Sequence, residues 1–224
     1  MNLIDTFKLW DTYLFLLING FHAPFFDGIM YAVSYKYTWI PLYVSVLYLV
    51  IKQWKQEAVW VILALVLCIV ISDQVASGIL KDLVKRLRPS HAEDLKDLVH
   101  LVKDYSGGKY GFASSHASNA FGFALLSSLI IKRKLYCYAI FVWAFITAYS
   151  RVYLGVHYPV DIFGGIVVGS LAALSCYWVL QKFKPVVLQL NSDEHSIEKS
   201  VVMIPVIVLL VSYLGIIIYS VFLF

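Results

Sequence analysis

His157 and Asp161 stand four residues apart in the stretch Ser150-Arg151-Val-Tyr-Leu-Gly-Val-His157-Tyr-Pro-Val-Asp161. Pro159 lies between them. It suits the first turn of a helix, where its missing N–H costs nothing, so a helix is expected to begin there. Asp161 in that first turn can reach back to one imidazole nitrogen of His157. Such a bond fixes the tautomer and leaves the other nitrogen free as a nucleophile or base. Arg151 lies six residues before His157 and offers a planar fork that matches phosphate oxygens. The competing reading is an interfacial loop that happens to hold a His, an Arg and an Asp.

Two other clusters weigh against that plain reading. In Lys81-Asp-Leu-Val-Lys-Arg-Leu-Arg88-Pro89, the two outer cations are seven residues apart. They are expected on one face of a helix that Pro89 terminates. Cations so placed also snorkel to lipid headgroups. In Phe112-Ala113-Ser114-Ser115-His116-Ala-Ser-Asn119, small residues open an apolar run. A helix N-terminus of this kind presents free N–H groups to an anion. Ser114 and Ser115 would serve equally as caps, but a cap needs no imidazole, so His116 asks for a further reason. Three cations, a nest of N–H donors, two histidines and one carboxylate are what phosphoryl transfer needs. The cations and N–H groups neutralise the equatorial oxygens, one His attacks in line, and the other gives its proton to the leaving oxygen.

The elements that must bring these clusters together are apolar. The chain has 224 residues, of which 61% are hydrophobic and 14% charged, with a mean hydropathy of +0.78. Soluble domains carry about 25% charged residues, so the expected solvent is the bilayer. The net charge of +4 resides in short loops between apolar runs. That is a signature of membrane topology and not of a nucleic-acid-binding face. Cys68, Cys137 and Cys176 fall inside apolar runs, odd in number and without zinc-type spacing, so no structural disulfide and no metal site are expected.

Leu3, Phe7, Trp10, Leu14 and Leu17 recur at helical spacing opposite Asp5, Lys8 and Asp11. This predicts an amphipathic helix over residues 1–20, lying in the membrane interface with Trp10 as an anchor. Its start is not a basic signal-peptide region, so it is expected to be retained. Six apolar stretches follow, at Ile29–Ile51, Ala58–Leu80, Ala117–Ile131, Leu135–Tyr153, Val160–Leu180 and Val201–Leu223, each near the length of a membrane-crossing helix. The expected architecture is therefore all-α, a single polytopic domain over residues 1–224 with six transmembrane helices. Lys52, Lys55, Lys132-Arg133-Lys134, Lys182, Lys184 and Lys199 all fall on one side, which the positive-inside rule makes cytoplasmic. The opposite side would face the periplasm or exterior and hold all three clusters. The long segment 81–112 carries Ser90 and Glu93 at capping-box spacing. With Leu95, Leu98, Val99 and Val102 as one stripe, it predicts a short amphipathic surface helix. Gly165-x-x-x-Gly169 reads as a packing device. Asp73 reads equally as a counter-ion to a basic residue or as a tuner of its ionisation. His22, His91 and His100 are assigned no chemistry.

At this point the sequence resembles a family, the type-2 phosphatidic acid phosphatases or lipid phosphate phosphatases. Vanadium haloperoxidases and glucose-6-phosphatases share their three-part signature of Lys-x6-Arg-Pro, Pro-Ser-Gly-His and Ser-Arg-x5-His-x3-Asp. Lys81, Arg88 and Pro89 meet the first part in full, and Ser150, Arg151, His157 and Asp161 meet the third. The second is met at Ser114 and His116 only, with Ala113 in place of Pro and Ser115 in place of Gly. Ser115 retains an amide donor provided its φ is negative. The resemblance implies that His157 is a nucleophile forming a phosphohistidine, oriented by Asp161, and that His116 is the general acid. It implies that Lys81, Arg88, Ser114, Arg151 and the Ser115 amide hold the phosphoryl oxygens, with no metal and no cofactor. No Asp-x-Asp, Cys-x5-Arg or His-Glu-x-x-His motif suggests another chemistry. The implied partner is a lipid phosphate reached from the bilayer at the outer leaflet. Undecaprenyl diphosphate, lipid A phosphate, phosphatidylglycerol phosphate and phosphatidic acid are the candidates. A lipid phosphotransferase, a vanadate-dependent haloperoxidase and a non-catalytic lipid-phosphate binding protein are the alternatives.

Overall fold

A computed structural model describes residues 3–189, 198–222 and 224. Among these residues the chain is helical without a strand, apart from one isolated bridge between Leu87 and Tyr110. The elements are α1 (Leu3–Gly20), α2 (Pro24–Ser34), α3 (Ile40–Trp54) and α4 (Ala58–Asp73). A π-helical stretch, Gln74–Leu80, leads α4 into α5 (Lys81–Val84). Then come α6 (Ser115–Ile131), α7 (Lys134–Tyr153), α8 (Pro159–Phe183), α9 (Pro185–Gln189) and α10 (Lys199–Phe222). The Leu3 side chain and Leu223, used in the expected stripe and the last span, lie outside the described residues.

Four helical runs are long and apolar enough to cross a membrane, namely Lys36–Val84, Lys134–Tyr153, Pro159–Phe183 and Lys199–Phe222. The first folds back at Lys55, whose φ is +50°, and so contributes two arms. Ser115–Ile131 is apolar but shorter. It sits at the centre, packed against α4, α7 and α8. Buried residues lie all around it, including Ala117, Phe121, Ala124, Leu126 and Ile130, as expected of a helix apolar on every side. Gly165 and Gly169 let α8 come against it. A Cβ at Gly169 would collide with the Ser118 carbonyl oxygen, and one at Gly165 with that of Ser114. The expected packing role of this pair is what the structure shows.

Four expectations are corrected. The stretch Ile29–Ile51 is not one helix, because the chain breaks at Tyr35 into an extended conformation. The carbonyls of Ala32 and Val33 are taken by the Thr38 hydroxyl at 2.7 Å and the Trp39 indole N–H at 2.8 Å. Pro41 has no N–H to continue a helix. Nor do Lys81 and Arg88 share a helix. Lys85 adopts a left-handed conformation that closes α5 on the Lys81 carbonyl. Arg86–Arg88 then run extended, with the Gly111 N–H donating to the Arg86 carbonyl at 2.9 Å and the Arg88 N–H to the Lys109 carbonyl at 3.2 Å.

The amphipathic helix expected between Ser90 and Val102 is replaced by turns and short 3₁₀ segments. The Ser90 hydroxyl donates to the Ser106 carbonyl at 2.8 Å instead of capping a helix. Leu95 and Val102 are buried while Leu98 is exposed, so no single stripe forms. The fourth correction concerns α1. Phe7, Trp10, Leu14 and Leu17 are indeed left exposed on one side, but Asp11, expected on the opposite polar face, is buried against the protein.

Candidate active site

Each cluster reaches the site from a different kind of backbone. α8 opens at Pro159, as expected, and Asp161 is its third residue. One Asp161 oxygen (Oδ2) accepts the Tyr158 N–H at 3.0 Å, the carboxylate half of a capping box. The same oxygen lies 3.4 Å from His157 Nδ1. That is long for a hydrogen bond, and Nδ1 makes no shorter one, although the Gly111 backbone also lies against the ring. The loop that carries His157 turns at Gly155, where φ is +75° and a Cβ would press on Val99 and the His100 carbonyl. His157 is 1% exposed and Asp161 fully buried.

Arg151, at the end of α7, is 2% exposed. It donates to the Ser34 hydroxyl and, at 3.1 Å, to the Tyr105 hydroxyl. Arg88, also buried, donates from Nε to the Tyr110 carbonyl at 3.0 Å. Arg151 Nε and Arg88 Nη1 are buried donors that bond to no protein atom. Among the described residues neither guanidinium forms an ion pair with a carboxylate. Lys81 Nζ donates to Ser77 Oγ at 3.3 Å, held at the end of the π-helical stretch, a kind of distortion that recurs at functional sites.

Ser114 caps α6, its hydroxyl accepting the Ala117 N–H at 3.4 Å while its own N–H donates to the Asp161 carbonyl at 2.9 Å. Ser115 is the first residue of α6 and is absent from the positive-φ positions. Its amide therefore heads the helix, as the retained-donor reading requires. His116 follows in the first turn and lies close enough to His157, Arg88, Arg151 and Lys81 to feel their charges. A cavity of about 290 Å³ is lined by Tyr31, Ser34, Tyr35, Lys36, Tyr105, His116, Arg151 and Leu154. Of the motif residues, His116 and Arg151 line it.

Burial, followed by the positive fields of Arg88, Arg151 and Lys81, holds the His157 imidazole well below the usual histidine range. It is therefore neutral near pH 7, with a lone pair available for attack. Burial pushes the Tyr105 phenol up, but Arg151 and Arg88 outweigh it and bring it below the usual tyrosine value. Both shifts report the same concentration of positive charge.

Lys81, Arg88, Ser114, His116, Arg151, His157 and Asp161 therefore converge. Several neighbours had no signal in the spacing: Ser34 and Tyr105 on Arg151, and Arg86, which donates to Asp161 Oδ1 at 3.1 Å and to Asp11 Oδ2 at 2.6 Å. Arg86 stands inside the first motif among its unspecified positions. Asp73 accepts from the Asn119 side chain at 3.2 Å, and its charge also reaches Lys81. His22 and His100 stack at 3.7 Å, and His100 Nε2 is 3.0 Å from Asp27 Oδ2. That pair ties the 81–112 segment to the start of α2.

Residues 57–185 match the model of the PAP2 superfamily. A lipid A 4'-phosphatase of Bacteroides thetaiotaomicron is 39% identical over 77% of this chain and 77% of its own length. Another of Porphyromonas gingivalis is 40% identical over 74% of this chain and 71% of its own. Among solved structures, Aquifex aeolicus LpxE superposes with a TM-score of 0.59 at 27% identity, covering 75% of this chain and 94% of that one. With the motif residues gathered at one site on a bundle of apolar helices, the chain is an integral membrane protein that belongs to the PAP2 superfamily.

Proposed function

We propose that this protein is a membrane phosphatase that removes a phosphate group from a lipid through a phosphohistidine on His157. A phosphorylated saccharide lipid of the lipid A type is its first candidate substrate. The observation that carries the reading is the pairing of a neutral, buried His157 with two buried guanidiniums whose free donors await an anion. Burying a cation without a counter-charge costs several kcal/mol, and a phosphoryl group supplies the missing charge. The relatives' activity favours lipid A, and the tyrosines around the cavity suit a sugar ring.

In this scheme Arg88, Arg151, Lys81 and the Ser115 amide hold the phosphoryl oxygens, with Ser114 fixing the head of α6. The free nitrogen of His157 attacks phosphorus while the bond to the leaving oxygen breaks, and His116 gives that oxygen its proton. Asp161 stabilises the positive charge that develops on His157. Water then attacks the phosphohistidine, His116 takes the water proton, and inorganic phosphate leaves with His157 restored. No step calls for a metal or cofactor. The site would face the periplasm or exterior from a six-span core, with α1 in the interface.

The test is phosphate release in detergent with EDTA present, wild type beside His157→Ala, from lipid A, undecaprenyl diphosphate, phosphatidylglycerol phosphate and phosphatidic acid. Wild type is expected to release phosphate fastest from lipid A, and the variant from none. Release that survives the substitution, or wild type that releases nothing from any of the four, would overturn the proposal.

A further inference from the structure

The buried set behind His157 extends one residue further than the catalytic motifs, and across the chain to α1. Arg86 sits between two carboxylates. One of its nitrogens donates to Asp161 Oδ1 at 3.1 Å and the other to Asp11 Oδ2 at 2.6 Å. The Asp11 and Asp161 side chains are 3% and 0% exposed, against 24% for Arg86. The guanidinium also lies 3.8 Å over the Tyr158 ring, and the Arg86 carbonyl is pinned by the Gly111 N–H. The other Asp11 oxygen accepts the Val160 N–H at 3.0 Å, one residue before Asp161. Each carboxylate thus has its two oxygens divided, one toward Arg86 and one toward the opening of α8.

From this geometry we infer that Arg86, held by Asp11, is a positioning residue for the His157–Asp161 pair, which makes α1 a structural part of the catalytic site. The inference rests on the roles given to His157 and Asp161 above. A carboxylate this buried stays ionised only beside a cation, and Arg86 is the cation bonded to it. Without Arg86, two buried carboxylates would face each other, and one would take a proton. The planar fork also fixes the plane of the Asp161 carboxylate, so that Oδ2 points at His157 Nδ1. A lysine keeps the charge but replaces the planar fork with a compact ammonium, so it orients the two carboxylates less strictly. The 3.4 Å separation is one that shortens as the imidazole becomes positive in the transition state.

The charged groups facing the pair are Arg86 and Arg88 from the extended segment, Lys81 from α5, Arg151 from α7, His116 from α6 and Asp11 from α1. Removing the positive charge of Arg86 eases protonation of both His157 and Asp161. The acid limb of the rate profile then moves to higher pH. Asp11→Asn removes a negative charge instead, and so loosens Arg86 without moving the limb upward.

The experiment measures kcat and KM against pH for wild type, Arg86→Gln, Arg86→Lys and Asp11→Asn on the preferred lipid. Arg86→Gln is expected to lose on the order of 10–100-fold in kcat, by analogy with the outer partners that orient metal-ligating histidines. Its KM should hold near wild type and its acid limb should move up. Arg86→Lys should recover part of the loss, and Asp11→Asn should lose less than Arg86→Gln. A merely structural role would lower the melting temperature and leave the limb in place. Wild-type kcat and limb in Arg86→Gln would overturn the inference. The downfield Nδ1 proton resonance of His157, assigned with His157→Gln, reports the bond to Asp161 with or without turnover. It should shift or vanish in Arg86→Gln, and an unchanged resonance overturns the inference even if wild type releases no phosphate. In that way the two proposals fail separately.

Discussion

His157 is kept neutral by its surroundings, and the direction of that effect sets a measurable pH range. An ordinary histidine protonates near pH 6.5. Burial and the charges of Arg88, Arg151 and Lys81 all disfavour the protonated form, so the neutral nucleophile persists as pH falls through 6.5. The acid limb of kcat/KM, assigned to His157 in the free enzyme, is therefore expected below pH 6.5. Replacing Arg88 by Ala removes one of the opposing charges and should move that limb upward as activity falls. An acid limb at or above pH 6.5 in wild type would show that the surroundings do not hold His157 below the ordinary histidine range. The same residues show what spacing conveys. Lys81, Arg88, Ser114, His116, Arg151, His157 and Asp161 were legible because phosphoryl transfer uses those residue types and because their order and spacing resemble the family's three-part signature. Arg86 was not, because its partners Asp11 and Asp161 are each 75 residues away along the chain.

The elements are organised by how closely α6 and α8 approach. Gly165 lies where a methyl group would strike the Ser114 carbonyl and come within 2.9 Å of the Ala117 side chain. Ala at this position must push the head of α6 away from α8, and with it Ser114, the Ser115 amide and His116. Such overpacking typically costs about 1–3 kcal/mol, and here it also misaligns the two halves of the site. Gly165→Ala is thus expected to lower the melting temperature in detergent and to lower activity by more than the loss of folded protein explains. Gly20→Ala, where a methyl group meets nothing within 4 Å, is the control and should leave both near wild type. Unchanged activity in Gly165→Ala would show that the site does not depend on the α6–α8 approach. Small residues spaced by four announced this contact in the sequence. The break at Tyr35 gave no such sign, since hydropathy does not register the capture of backbone carbonyls by Thr38 and Trp39. The turns of segment 81–112 escaped for a related reason. Ser90 found a partner in Ser106 across the loop, and a local capping pattern cannot foresee a distant acceptor.

For the whole molecule, the remaining question is which side of the membrane the site faces. Apolar periodicity disclosed the helices, while their arrangement around α6 depends on contacts between distant segments. Orientation depends on neither. The helix ends away from the site carry Lys52 in the last turn of α3 with Lys55 just after it, Lys132 and Arg133 between α6 and α7 with Lys134 opening α7, and Lys182 in the last turn of α8 with Lys184 just after it. Clusters of this kind in short loops hold a segment on the cytoplasmic side. The site end is also rich in cations, but Arg88 and Arg151 are buried and Arg86 is paired with two carboxylates. The exposed positive charge that would oppose the rule is reduced accordingly. The proposed orientation therefore predicts the labelling of introduced cysteines by a membrane-impermeant maleimide in spheroplasts, in a Cys137→Ala background whose remaining Cys68 and Cys176 are buried. Lys96→Cys, exposed on the site end, should label while the membrane is intact. Lys134→Cys, exposed at the opposite end, should label only after lysis. The reverse pattern would put the phosphate cage in the cytoplasm. A lipid whose phosphate is displayed on the outer leaflet could not then reach it, and the substrate would have to be a lipid of the inner leaflet.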